Sequence, residues 1–397
     1  VLQTNYDLKQ AAYRVDQAKA AMRVAQSRFY PTINVNAGYN YNQNVTVPGK
    51  ISQIGSLGVD AKWEIDIIGA VRNRAKSQKA AYLASQEEYD GVMTALVAQT
   101  VQTYVQLRTS QWRLQVIESN LESQKETMEI TEARFNAGLA SALDVAQAKS
   151  IYYATQSQVP AMESQVSAYI NQMGILLGQV PWSVEEEMAL PDGQTELSPN
   201  MVVSVGIPAE VLRQRPDVRA AEKNIDAKAA MVGARVADWL PRFFVTGQFG
   251  YASENFQDLF NNNNMYWQVA PSVQWNIFSG TTLSGNIQAA KAGLEEAINN
   301  YNNTVLTALQ EVDDAMTHYR HASAEVVAMQ KAFDQAEITN QLAIDLYKKG
   351  LIDFQNVLDA QRSLLQYEDN LVVAKSSVSL SLVQLYRALG GEWNNEQ

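Results

Sequence analysis

The chain has 397 residues and a formal net charge of −11, and 46% of its residues are apolar. The acidic balance excludes nucleic-acid binding, which needs a basic surface, and the apolar content excludes global disorder. The sequence has no cysteine, which excludes thiol chemistry. It has two histidines, so few side chains are suited to acid–base catalysis or metal binding.

The beginning of the chain lacks the pattern of a signal peptide. Residues 1–5 are typical of a polar helix. No apolar run approaches the roughly 18 residues of a membrane-spanning helix. If the protein is exported, we expect that its targeting segment has been removed or is absent from this sequence.

The first half of the chain, residues 1–178, predicts a helix, two strands and two further helices. We expect the strands at residues 31–43 and 55–66, the long helix at 69–137 and the last helix at 141–177. The class is therefore mainly α with a β portion.

Both strands alternate between apolar and polar residues. In the first strand the apolar positions are Ile33, Val35, Ala37, Tyr39 and Tyr41. Such alternation over about 10 residues is typical of strands in a membrane β-barrel. A soluble β-sandwich with one hydrated face has the same pattern, so the alternation alone leaves both open.

The helices that follow the strands are unusually long. Between Gly69 and Gly138 there is no proline and one further glycine, so a helix there would be about 100 Å long. In the next helix, apolar residues recur every seven positions at Val145, Tyr152, Val159, Val166 and Met173. This spacing predicts left-handed coiled-coil packing. Pro160 predicts a kink or break in that helix.

The second half, residues 216–391, predicts the same order of elements. Its strands are expected at residues 241–253 and 266–278, its long helix at 284–349 and its last helix at 353–389.

Matching residues in the two halves lie 212 positions apart, as Trp63 and Trp275 do, and as Gly138 and Gly350 do. We interpret this as an internal two-fold sequence repeat.

The remaining segments are polar or rich in proline. Residues 179–215 link the two halves and are interpreted as an equatorial belt, and residues 392–397 form a C-terminal tail. Residues 42–55 and 253–266 are predicted to be polar loops on the outer side.

Four strands are too few to close a barrel, and open strand edges are not tolerated in lipid. If the strands lie in a membrane, several chains share one barrel. Two chains would supply eight strands and three would supply 12, and the pattern does not choose between them.

Four motifs resemble those of outer-membrane efflux proteins of the OprM/NodT type, which are relatives of TolC. The most specific is the block Ile207–Glu222, which contains the sequence Arg-Pro-Asp. The others are Leu240–Gly247, Trp63–Gly69 and Ala388–Trp393. Together the resemblance covers nearly the whole chain.

This resemblance implies a homotrimer with a 12-stranded outer-membrane β-barrel, continued by a long α-helical coiled-coil barrel in the periplasm. It implies a passive exit duct of a tripartite multidrug efflux pump. The implied partners are outer-membrane lipid, a periplasmic adaptor (membrane fusion protein) and an inner-membrane resistance-nodulation-division transporter. It implies no catalytic, cofactor or metal site.

Family members of this type usually begin with a lipid-modified cysteine. That cysteine is absent from this sequence, so a lipid anchor is possible only in a longer form of the protein. Two alternatives remain: a type I secretion duct with the same architecture, and a soluble coiled-coil scaffold without a pore.

The resemblance places a gate at the periplasmic tip of the helices. The pattern Val-Leu-Asp-Ala-Gln at residues 357–361 assigns Asp359 to the constriction, where threefold symmetry would form a ring of carboxylates. Asn356, Tyr347 and Asp144 are assigned to the same gate. An ordinary solvated helix face is the alternative interpretation.

The resemblance also implies that the two helix reversals contact the adaptor. In both, a leucine follows a glycine, at Gly138-Leu139 and at Gly350-Leu351. An exposed leucine beside a glycine offers a small apolar contact, although turn formation alone also explains the glycines.

Aromatic residues at the two ends of the strands predict two membrane interfaces. The helix-proximal group is Tyr30, Trp63, Trp239 and Trp275, and the opposite group is Tyr39, Tyr41, Tyr251 and Trp267.

Overall fold

The computed structural model describes residues 1–43, 51–190 and 213–391. Its helices are α1 (Tyr6–Ser27), α2 (Ala70–Asn136), α3 (Ala142–Gln156), α4 (Val159–Leu177), α5 (Pro216–Ala237), α6 (Thr282–Lys348) and α7 (Phe354–Ala388). Its strands are β1 (Thr32–Gln43), β2 (Ile51–Ile65), β3 (Arg242–Ser253) and β4 (Met265–Gln274). The mainly helical class with a four-stranded portion is confirmed.

Several predicted boundaries differ from those observed. Strand β2 begins at Ile51 rather than at residue 55, because pairing with β1 extends to Gln43. Strand β4 ends at Gln274 rather than at residue 278, because its partner β3 begins opposite that residue at Arg242.

The helix predicted at residues 141–177 is divided into α3 and α4. The division lies just before Pro160, which occupies the first turn of α4. Proline has no N–H to donate and is tolerated in that turn, so the expected break falls there.

Parts of three predicted segments lie outside the described residues. These parts are residues 44–50 of the first outer loop, residues 191–212 of the linker and the tail at 392–397. The same holds for the first six residues of the Ile207–Glu222 block.

The chain forms two compact units. Unit 1 comprises Val1–Ala11, Asp90–Arg215 and Val305–Gln397, and unit 2 comprises Ala12–Tyr89 and Pro216–Thr304. Each unit therefore contains residues from both sequence halves. The internal repeat stays a prediction.

Local signals start three of the helices. The side chain of Asn5 accepts hydrogen bonds from the first turn of α1, and that of Asp66 accepts from the first turn of α2. Helix α5 begins at Pro216, with Asp217 in its first turn. Side-chain oxygens and negative charge at a helix N-terminus satisfy its free N–H groups.

Unit 2 contains all four strands in one antiparallel sheet of order β1–β2–β3–β4. Each strand pairs with its successor along the chain. Within the described residues, β1 and β4 each have a strand neighbour on one side only. The sheet thus has two unpaired edges.

Unit 1 is built from long helices with small apolar clusters between them. One cluster lies where the helices reverse and contains Tyr347, Phe354, Val357 and Leu358. No helix in the described part of the chain combines the length and apolar content that crossing a membrane requires.

Candidate functional site

One face of the sheet is apolar across all four strands. The register places Val35 opposite Val59, Val59 opposite Phe249, and Phe249 opposite Trp267. All four side chains are at least 40% exposed. Four alternating sequence patterns therefore form a single continuous apolar surface that lies uncovered in one copy of the chain.

The opposite face is polar along the neighbouring row. Asn34 lies opposite Asp60, which lies opposite Gln248, which lies opposite Gln268. Asn34 and Asn36 both donate to the carboxylate of Asp60. The sheet is thus suited to have lipid on one side and water on the other.

An ion pair also lies on the polar face. The guanidinium of Arg242 donates to both carboxylate oxygens of Glu64 at 2.8 Å. Lys62 lies over the ring of Phe244 at 4.9 Å. Bidentate pairs of this kind hold neighbouring strands in a defined geometry.

Most of the aromatic residues predicted at the membrane interfaces lie near the ends of the strands, whereas Tyr39 lies inside β1, opposite Gly55 in the interior of β2. In the helix-proximal group all side chains are at least 40% exposed: Tyr30, Trp63, Trp239 and Trp275. In the opposite group Tyr39, Tyr41 and Trp267 are exposed, and Tyr251 is partly buried.

Two of these tryptophans form the same hydrogen bond in the two halves of the chain. The indole N–H of Trp63 donates to the carbonyl oxygen of Phe29 at 3.0 Å, and that of Trp275 donates to the carbonyl of Trp239 at 3.2 Å. An aromatic ring with one bonded polar end is suited to a lipid–water boundary.

The two helix reversals have the same backbone geometry. Gly138 and Gly350 adopt φ values of +75° and +73°. The N–H of the following leucine donates to the carbonyl five residues earlier, from Leu139 to Arg134 at 2.8 Å and from Leu351 to Leu346 at 2.9 Å. This pairing requires a left-handed residue, which glycine adopts without strain.

The leucines of both reversals are exposed. Leu139 is 68% exposed and Leu351 is 67% exposed. The glycine before each of them leaves the backbone open to close approach. The reversals therefore present two similar apolar knobs.

Arg134 connects the first reversal to the second. Its Nη1 donates to the carbonyl oxygens of Tyr347 at 2.6 Å and Lys348 at 3.1 Å, at the end of α6. Its guanidinium also lies 4.6 Å from the centre of the Tyr347 ring. A cation at a helix C-terminus satisfies free carbonyls and interacts favourably with the helix dipole.

Tyr347 itself is buried against Phe354, with ring centres 5.3 Å apart. Among the described residues its hydroxyl has no hydrogen-bond partner. A buried hydroxyl without a partner is costly.

Asp144 is occupied in a capping box at the start of α3. Its backbone N–H donates to the Ser141 hydroxyl at 3.2 Å, and its carboxylate accepts from the Ser141 N–H at 2.9 Å. The sequence Ser-x-x-Asp is the local signal for this motif. Asp144 therefore caps the start of α3, and its role in the gate stays a prediction.

Asp359 and Asn356 lie on the exposed side of α7, away from its apolar cluster. The amide of Gln355 donates to both oxygens of Asp359, at 3.2 and 3.3 Å. Both predicted residues line a groove of about 470 Å³ between α6 and α7, together with Thr339 and Tyr367. The structure thus brings Asp359 and Asn356 together and places Tyr347 and Asp144 elsewhere at the tip.

A row of polar residues on α2 was missed by the sequence analysis. Arg113, Asn120, Thr127 and Arg134 are spaced by seven. The first three contact α7: Arg113 pairs with Asp369 at 2.6 Å, Asn120 donates to Glu368 at 2.7 Å, and Thr127 accepts from Gln361 at 2.9 Å. Polar residues at coiled-coil seam positions define helix register.

Burial and hydrogen bonding shift the pKa of Arg113 in this row and that of Glu368, a partner of the row on α7. Burial raises the pKa of Glu368, and the nearby carboxylates of Glu337 and Asp369 act in the same direction against the Asn120 hydrogen bond. The hydrogen bond to Asp369 raises the pKa of Arg113. The seven-residue spacing was visible in the sequence, but the partners on α7 were not.

The chain matches the model of a known protein family over most of its length. A model of the outer membrane efflux protein family matches residues 1–179 and 207–391.

Individual relatives agree with this match over the whole chain. The solvent efflux pump outer membrane protein SrpC of Pseudomonas putida is 30% identical, over 100% of this chain and 84% of its own length. The cation efflux system protein CusC of Escherichia coli K12 is 26% identical, over 98% of this chain and 84% of its own length.

Among solved structures, the outer-membrane channel OprN is similar with a TM-score of 0.92 and 30% identity, covering 99% of this chain and 88% of that one. The channel VceC of Vibrio cholerae has a TM-score of 0.88 at 24% identity, covering 98% of this chain and 94% of that one, which supports the fold.

Proposed function

The chain belongs to the outer membrane efflux protein family, and on that premise we propose that three copies form the passive exit duct of a tripartite efflux pump. As a member of this family the protein resides in the bacterial outer membrane, serves efflux as a channel and is not an enzyme. The trimer, its gate and its partners are the proposed part.

The single observation that carries the proposal is the open sheet with one apolar face. The row from Val35 to Trp267 crosses all four strands, while the row from Asn34 to Gln268 is polar. In lipid, the unpaired N–H and C=O groups of β1 and β4 need partners. Sister copies supply them, and three copies give 12 strands around a polar lumen.

The gate is proposed at the helix tips. In a threefold assembly Asp359 becomes one of three like charges around the axis, with Asn356 close by. Such a ring attracts cations and resists compaction. The exposed positions of both residues on α7 support this assignment.

Docking to a periplasmic adaptor is proposed at Leu139 and Leu351. Their exposure and matching turn geometry suit a repeated contact with helical hairpins. One named relative belongs to a solvent efflux pump and another to a cation efflux system, so an inner-membrane transporter is proposed as the further partner.

Single-channel recording with the purified full chain in planar bilayers tests this function. A duct gives discrete conductance steps that polyvalent cations block from the side of the helix tips. A protein that stays monodisperse in water without detergent and never conducts would instead be a soluble scaffold.

A further inference from the structure

A groove lined by arginines lies within unit 2, outside the gate and the reversals. It has a volume of about 590 Å³. Its apolar wall includes Val24 and Ala25 of α1 and Met231 of α5, and its cationic wall comprises Arg28, Arg74 and Arg235. The groove therefore combines an apolar surface with three guanidinium groups.

The groove carries an excess of positive charge. Arg74 pairs with Asp238, whose second oxygen lies 3.7 Å from Arg235. Among the described residues, no carboxylate lies within ion-pair distance of Arg28. One carboxylate thus faces three guanidinium groups, in a chain whose net charge is −11.

The groove lies beside the helix-proximal aromatic group. Arg28 precedes Tyr30 by two residues, and Asp238 directly precedes Trp239. The indole of Trp63 holds the backbone between Arg28 and Tyr30 through its hydrogen bond to Phe29. If the apolar sheet face lies in lipid, these arginines lie at the level of the adjoining headgroups.

We propose that this groove binds the phosphate headgroup of an anionic phospholipid, of which phosphatidylglycerol is the model. Guanidinium groups bind phosphate oxygens through paired charge-assisted hydrogen bonds, and the apolar wall accepts the glycerol and first methylenes. The excess positive charge disfavours headgroups that carry an ammonium group. This inference rests on the membrane placement in the proposed function.

Lipid binding by the full chain in nonionic detergent is measured by native mass spectrometry with phosphatidylglycerol as the probe. The test variant is Arg28→Gln with Arg235→Gln, which keeps the Arg74–Asp238 pair. The matched control is Arg23→Gln, an exposed arginine of α1 that does not line the groove. We expect the double variant to bind roughly tenfold more weakly and the control to bind like the parent.

Several results would overturn the lipid site. They are equal binding by the double variant, equal binding of phosphatidylcholine, or displacement of the lipid by millimolar inorganic phosphate, which would indicate a free anion. A change in the number of chains per particle in the double variant would mean that another copy covers the groove. Bilayer conductance of the same preparation separates the two hypotheses: a conducting channel without lipid selectivity refutes only this site, whereas a non-conducting protein refutes the duct.

Discussion

The guanidinium of Arg134 caps the carboxyl end of helix α6 at Tyr347 and lies over the ring of that same residue. Arg134 belongs to the last turn of α2, so one side chain joins the two helix reversals. The contact involves a charged donor, and its loss removes a hydrogen bond from each of two helix-terminal carbonyls, of which that of Tyr347 also accepts from the Gly350 N–H at 2.9 Å. The two reversals are therefore expected to move together.

Replacing Arg134 with Met should loosen the end of α6. A hydrogen bond to a charged group contributes about 1.5–3 kcal/mol, so amide hydrogen exchange at residues 349–351 should be faster by roughly tenfold or more. Lys125→Met, on the same helix and exposed, is the matched control and should leave these amides protected. Unchanged exchange in Arg134→Met would show that the cap does not hold the two reversals together.

Replacing Leu139 and Leu351 with Asp should abolish efflux in cells while the oligomer stays intact. Both side chains are exposed, so the change alters docking rather than the core. Substitution of both by Met keeps an apolar side chain and should retain most export, as drug-susceptibility assays would reveal. Export that survives the Asp variant argues against an adaptor contact at the reversals.

Asp359→Ala should raise single-channel conductance and weaken block by divalent cations. Alanine is smaller than aspartate, so the proposed constriction becomes wider, and removal of the carboxylates takes away the charges that bind divalent cations. Asp345→Ala removes the same charge from an exposed position near the end of α6 and should change neither property. If both variants behave like the parent, the constriction lies elsewhere.

Glu368→Gln should stabilise the protein near neutral pH. Burial raises the folded-state pKa of Glu368 above its unfolded value, so its stabilising contribution is present at acidic pH and is lost as pH rises through the folded pKa. Glutamine has no charge to bury, so this loss of stability at higher pH does not occur, and its side-chain oxygen still accepts the hydrogen bond from Asn120. The Tm should therefore rise by about 1–2 °C at pH 7–8. The gain should vanish below the pKa of an ordinary glutamate, and a gain of equal size at acidic pH would contradict the burial argument. Glu163→Gln, at an exposed position on α4, is the control.

Features that depend on local patterns were accessible from the sequence. The alternation around Val35 and Phe249 identified strands and their apolar faces. Gly138 and Gly350 marked the reversals, because only a residue tolerant of positive φ ends a helix in that way. The capping box of Asp144 is equally local and was available in the spacing to Ser141.

Features that depend on distant partners were not accessible. Arg134 bonds to a carbonyl 213 residues away, and the burial of Glu368 arises only when α7 packs beside Asn120. Composition and periodicity report which face a residue occupies, but not which side chain lies opposite it. The arginine groove was missed for the same reason, since Arg28 after α1, Arg74 of α2 and Arg235 of α5 lie far apart along the chain.

Disulfide cross-linking between edge strands β1 and β4 is the most direct test of whether three chains form one barrel. The chain has no cysteine of its own, so Val35→Cys in β1 can be paired with single cysteines scanned along β4 from Trp267 to Val273. Within one sheet these edges lie about 14 Å apart across three strand spacings, too far for a disulfide. We predict that oxidation in the membrane yields a covalent ladder ending at three chains. Absence of intermolecular bonds at every scanned position, or a ladder extending beyond three, would contradict a barrel built from three open sheets.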